Sequence, residues 1–126
     1  MRVFVTKAFR LLQRKERLDD IGLLGAIARA ERGLIDADLG HGLIKQRVAR
    51  EGKGRSGGYR TIIAYRSKAR AVFLFGFAKN HIQNIGISDE RLLSDYGAML
   101  LALDEAGLKS MLAGGELREI EYREEA

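Results

Sequence analysis

The sequence predicts an α+β fold, with N-terminal helices packed on a small twisted antiparallel β-sheet and C-terminal helices after it. Three observations predict it. Apolar residues recur at helical spacing up to Gly33, then alternate with period two from Leu43 and continue in β-forming runs to Ala78. Helical spacing returns after Ser88. A chain of 126 residues suits one domain, 1–126, built on a single core.

Each element has its own signal. Val3-Phe4-Val5 is β-branched and aromatic, which suits a short opening strand. In the first helix, Ala8 with Leu11 and Phe9 with Leu12 fall at i, i+3 among Arg10, Arg14, Lys15 and Arg17. Asp19 and Asp20 supply an N-cap and a first-turn acid for a second helix. Its apolar face is Leu23, Leu24, Ile27 and Ala30, and Gly33 closes it.

From Leu43 to Arg50, Ile44, Gln46, Val48 and Arg50 alternate with Leu43, Lys45, Arg47 and Ala49. A glycine-rich loop, Glu51 to Gly58, leads to a second strand, Tyr59 to Arg66. After a turn at Ser67 to Arg70, Ala71 to Ala78 is apolar on both faces, as a central, covered strand should be. The three strands form an antiparallel meander. Ser88, Asp89 and Glu90 then open a long helix whose stripe Leu92, Tyr96, Met99, Leu100 and Leu103 is expected in the core. Asp104 caps a further helix through Leu108, Met111 and Leu112. Leu117, Ile120 and Tyr122 suit either an edge strand or a helical turn.

Composition narrows the function classes. No cysteine is present, which excludes disulfides and thiolate-bound zinc. Two histidines, His41 and His81, do not by themselves build a metal site, so no metal and no cofactor are expected. No apolar run approaches the roughly 18 residues of a membrane span, and no leader is evident, so a cytoplasmic protein with no membrane partner is expected. The net charge of +5 is unevenly spread. Residues 1–87 carry 18 basic and 7 acidic side chains, whereas residues 88–126 carry 4 and 10. A basic body with an acidic end piece suits one face meeting nucleic acid.

The charge concentrates between His41 and Arg70, where Lys45, Arg47, Arg50, Lys53, Arg55, Arg60, Arg66, Lys68 and Arg70 face only Glu51. On paired strands such charge repels itself, and a polyanionic partner is the natural counterweight. The loop Gly52-Lys53-Gly54-Arg55-Ser56-Gly57-Gly58 lacks the spacing of a nucleotide P-loop, but its glycines let backbone amides approach phosphate. Arg60 lies inside a strand, beside Lys45 and Arg47 on the neighbouring one.

A metal-free site that cleaves RNA must remove the 2′-OH proton, offset charge on the phosphorane and protonate the leaving 5′-oxygen. Clustered cations suit all three tasks, with Lys53 as base candidate and Arg60 and Arg55 as phosphate clamps. Beyond the third strand, Lys79 suits phosphate and Asn80 a base edge or a cap. His81 suits either acid–base work or plain exposure. Tyr59 and Tyr65 share a strand face, placed either to stack on a base or to sit half-buried in the sheet. His41, between two glycines, reads as a turn residue.

Three blocks resemble the RelE/ParE toxin superfamily, nearest its HigB-like RelE members: Gly42 to Arg50, Gly52 to Ile63, and Phe75-Gly76-Phe77-Ala78-Lys79-Asn80. The likeness extends over roughly residues 1–105. It implies a toxin of a type II toxin–antitoxin system, silenced by a cognate antitoxin of helix-turn-helix type. Relatives of this kind cleave mRNA, usually in the ribosomal A site, by 2′-OH attack that leaves a 2′,3′-cyclic phosphate. The pattern's basic positions match Lys53, Arg55, Arg60 and Lys79 as catalytic residues. Lys45, Arg47, Arg50, Tyr59, Asn80 and His81 are then the RNA-binding set. The C-terminal tyrosine acid of some relatives has no counterpart, since Tyr96 reads as helix core and Tyr122 lies in the tail. Two other functions share this surface: inhibition of DNA gyrase in the manner of ParE, and nucleic-acid binding without catalysis.

Overall fold

In the computed structural model, which describes residues 1–50, 54–78 and 87–122, the chain builds a six-stranded sheet between two helical layers. Side chains are described for all of these except 50, 54–57 and 87–88. The elements are β1 (Arg2–Thr6), α1 (Lys7–Glu16), α2 (Asp20–Glu31), β2 (Ala37–Gly40), β3 (Leu43–Arg50), β4 (Gly54–Arg66), β5 (Arg70–Ala78), α3 (Ile87–Ala102), α4 (Glu105–Ala113) and β6 (Leu117–Ile120). The strand order is β2-β3-β4-β5-β1-β6. The β3–β4–β5 meander is antiparallel, as expected. The sheet as a whole is mixed, because β1 pairs in parallel with β5. Parallel neighbours need a long crossover, here the whole chain from α1 to β4. The tail resolves as an edge strand, β6 against β1.

Local chemistry sets the helix ends. The Thr6 hydroxyl accepts from the Phe9 amide at 3.1 Å and caps α1. Asp19 accepts from the Gly22 amide at 2.7 Å, and Asp104 from the Gly107 amide at 2.8 Å. Gly33 takes φ +82 just past α2, where its amide bonds the Ala30 carbonyl and that of Leu34 bonds Arg29. The last turn of α3 is served from the sheet. Arg70 Nη1 donates to the carbonyls of Leu100, Leu101 and Leu103 at 2.8, 3.2 and 2.9 Å, and Arg66 to Leu101 at 3.3 Å. Two cations of the basic hairpin therefore neutralise a helix C-terminus.

The pleat sorts the core into two layers. Val3, Val5, Ile44, Val48, Ile63 and Phe73 face α1 and α2, with the rings of Phe9 and Phe73 centred 5.2 Å apart. Phe4, Leu43, Ile62, Ala64, Val72 and Leu74 face α3 and α4. Fully burying such a side chain stabilises the fold by roughly 1.5–3 kcal/mol. Gln46 is polar and fully buried, yet satisfied: it donates to the Ala26 and Leu34 carbonyls and accepts from the Asp36 amide.

Three expectations need correction. Leu92, Tyr96 and Met99 of α3 are not core; they are 68%, 38% and 45% exposed. The helix instead seats Gly97, Leu100 and Leu101 on the sheet. A Cβ at Gly97 would stand 3.1–3.4 Å from Ala64, Leu43 and Leu74, so the missing side chain is what lets the helix approach. Next, β4 starts at Gly54, so most of the expected glycine loop is strand. Finally, α3 begins at Ile87, which places Ser88 inside the helix rather than before it.

Candidate nucleic-acid interface

Cross-strand register gathers the site. Arg47 pairs with Arg60, which pairs with Phe77; Lys45 pairs with Ile62, which pairs with Phe75. Partners across a sheet share a face, so the two rows form one patch, three strands wide, on the α3/α4 side. The next row, Leu43–Ala64–Val72, lies beneath Leu100 and Gly97 of α3. The patch begins where that cover ends. Ile62 is its buried floor, with cations on one side and phenylalanines on the other.

Each cation is held differently. Lys45 Nζ lies 5.9 Å from the centre of the Phe77 ring. The Arg47 amide donates to Asp36 at 2.7 Å, and its guanidinium reaches the same carboxylate at 3.4 Å. Burial pushes the Asp36 carboxyl up, but these hydrogen bonds and the charges of Arg47 and Arg29 outweigh it, holding it below the usual carboxylate range. Arg29 of α2 also donates to the Arg47 carbonyl. Arg60 differs from both: its Nη1 is buried with no hydrogen-bond partner among the described residues. A buried, unpaired guanidinium nitrogen beside two further cations offers a ready donor to an anion.

The other candidates divide by position. The backbone pairs Arg50, at the end of β3, with Gly54, at the start of β4, and Arg55 follows Gly54 in the strand. Lys53, Lys79, Asn80 and His81 lie outside the described residues. Tyr59 is corrected: it is 4% exposed and packs in the α1/α2 layer, on the face opposite Arg60, so it does not offer its ring to a base. Neighbours in a strand point to opposite sides. Tyr65 shares the Tyr59 face, and its hydroxyl donates to Glu31. Burial, reinforced by that carboxylate, pushes the phenol up to about 12. His41 sits in the β2–β3 turn at φ 55, as expected. It borders a cleft of about 500 Å³ shared with Glu90, Arg91 and Asp95, which carries both signs of charge and none of the patch cations.

Sequence reading missed Phe75 and Phe77 as site residues. Their strand looks covered on both faces, and only the observed register opens one of them. Among the described residues no cluster of three metal-ligating side chains occurs, and no helix is long and apolar enough to cross a membrane.

No curated protein matches the chain. Residues 1–120 match the family described as the RelE toxin of the RelE/RelB toxin–antitoxin system. That match spans nearly the whole chain, including every described strand and helix. The chain thus belongs to the RelE toxin family, the toxin half of a system whose other half is an antitoxin.

Proposed function

We propose that this toxin is a ribosome-dependent mRNA endonuclease that inhibits translation. The observation that carries the reading is the buried Nη1 of Arg60, without a hydrogen-bond partner among the described residues, on a sheet face beside Lys45 and Arg47. In the proposed reaction the RNA 2′-oxygen attacks the adjacent phosphorus, and its proton passes to a base. The P–O5′ bond breaks, an acid protonates the leaving oxygen, and a 2′,3′-cyclic phosphate and a 5′-hydroxyl result. Arg60 donates to a non-bridging oxygen as negative charge grows there, an effect worth about 10²–10³ in rate for one well-placed donor. Lys45 and Arg47 hold the neighbouring backbone, with Arg50 beside them.

Lys53, Arg55 and Lys79 are the proposed sources of base, second clamp and acid, and Asn80 and His81 further RNA contacts. Supporting this, β3 ends, β4 starts and β5 ends at one end of the sheet, the end that carries the Arg60 row. Lys53 follows Arg50 by three residues, and Lys79 follows Ala78 directly. The proposed partners are the ribosome with its mRNA and an antitoxin of helix-turn-helix type.

The test maps transcript ends by primer extension in a translating lysate. Wild type should produce discrete new ends and Arg60→Ala should not. Translation arrest with intact transcripts would overturn the proposal, and loss of gyrase supercoiling in a parallel assay would point to the ParE-like activity.

A further inference from the structure

Pairing of β4 with β5 skips a residue: Ile62 faces Phe75, whereas Ile63 faces Phe73. Strict alternation would send Phe73 and Phe75 to the same side, into the α1/α2 layer. The extra residue, Leu74, reverses that. Leu74 packs in the layer under α3, and Phe75 follows it onto the same face. Gly76 then returns to the far side, where a Cβ would meet Leu12 and Tyr59 at 2.8 Å. This is a β-bulge, a device that re-aims a side chain and is common beside functional sites. Its product is a phenylalanine 36% exposed on a central strand, with its ring centre 6.1 Å from that of Phe77. Exposing a large ring there gains nothing for the fold.

We infer that Phe75 is a stacking platform for an unpaired nucleobase of the RNA whose phosphate Arg60 holds. Phe75 is the diagonal neighbour of Arg60, about 7–8 Å away across the strands. That separation is bridged by a single nucleotide, base on the ring and phosphate on the guanidinium. Lys45, in the Phe75 row, and Arg47, in the Arg60 row, give the patch a positive rim that fits a single strand rather than an apolar peptide. The inference rests on the nucleic-acid reading of the site, but it concerns which group is recognised rather than which bond is cut.

The test uses a fluorescein-labelled RNA octamer, 2′-O-methylated throughout so that it is not cleaved, together with versions abasic at one position each. Wild type should bind the parent octamer at low salt, and Phe75→Leu should bind it about 5- to 100-fold more weakly, the equivalent of one stacked base. One abasic position should cost the wild type a similar factor and cost Phe75→Leu nothing. The chain has no tryptophan, so Phe75→Trp introduces a single indole whose fluorescence the parent octamer should quench and that abasic version should not. Equal affinity of wild type and Phe75→Leu, or no binding by wild type, overturns the inference. So does a Phe75→Leu variant that loses an antitoxin but keeps RNA. Cleavage is judged separately, by the transcript ends in lysate, so either idea can fail without the other.

Discussion

Replacing Arg60 with methionine should make the protein more stable and less active. Nη1 of Arg60 is buried without a partner among the described residues, and the residue directly opposite it in the sheet is another arginine, Arg47. An unsatisfied buried donor costs about 1–3 kcal/mol. Like charges directly across a strand pair add a few tenths to about 1 kcal/mol. Methionine keeps the unbranched stem of the side chain as far as the Nε position and removes both penalties. The expected gain is about 1–3 kcal/mol, after allowing for lost hydration of the remaining guanidinium nitrogens. At this chain length each kcal/mol corresponds to about 3–6 °C in Tm. Thermal and urea unfolding of wild type and Arg60→Met check it, with inorganic phosphate titrated into each. Phosphate should raise the wild-type Tm and leave that of the variant unchanged, while cleavage falls at least about 100-fold. A lower Tm for Arg60→Met would refute the reasoning, because the guanidinium would then be holding the sheet together rather than waiting for an anion.

Other perturbations test the frame around the site. Gln46→Leu strands the Asp36 amide and takes one bond each from the Ala26 and Leu34 carbonyls; urea titration should show a loss of about 1–3 kcal/mol, and an unchanged midpoint would contradict the bonding described. Acid should weaken the fold as well. Arg118 lowers the Asp20 carboxyl, Arg2 lowers that of Glu119, and Arg47 overcomes burial at Asp36. Groups with lowered folded values stabilise fully above their unfolded pKa, about 4, and lose that contribution as pH falls through the folded value. Unfolding free energy should therefore drop below about pH 4, and Asp20→Asn should flatten part of the slope; a flat profile for wild type would show that these pairs add nothing.

The parts of the fold written in neighbouring residues were readable beforehand. Asp19, Asp104 and Gly33 mark helix ends because a cap is chemistry within a few residues. The parity of β3 put Lys45 and Arg47 on one face, and Arg60 was expected beside them on the neighbouring strand; that all three share a face follows from the register that sets Arg47 opposite Arg60. Parity also argues against Tyr59, since it cannot share a face with Arg60, its neighbour in the strand. Features set by distant contacts were not readable. Val3 finds Ala71 in parallel only once the whole sheet exists. The packing face of α3 follows Gly97, whose value is the absence of a side chain, so a search for large apolar residues selects Leu92, Tyr96 and Met99 instead. Phe75 was hidden for a related reason. One extra residue in β5 changes its side of the sheet, and nothing within the run Ala71 to Ala78 announces that shift.

The place of β1 has a consequence for synthesis. It lies between β5 and β6, so it is made well before either of its partners; one edge can pair once residues 70–73 are available, and the other stays open until residues 117–120 are. At about 5–20 residues per second, translation from Thr6 to Ile120 takes roughly 6–20 s. The β3–β5 hairpins that carry the cationic patch need only local closures and can pair much sooner. The surface that meets RNA is thus the early, local part of the architecture. The outer edge of β1 is closed last, although β1 is the first of the strands to be translated.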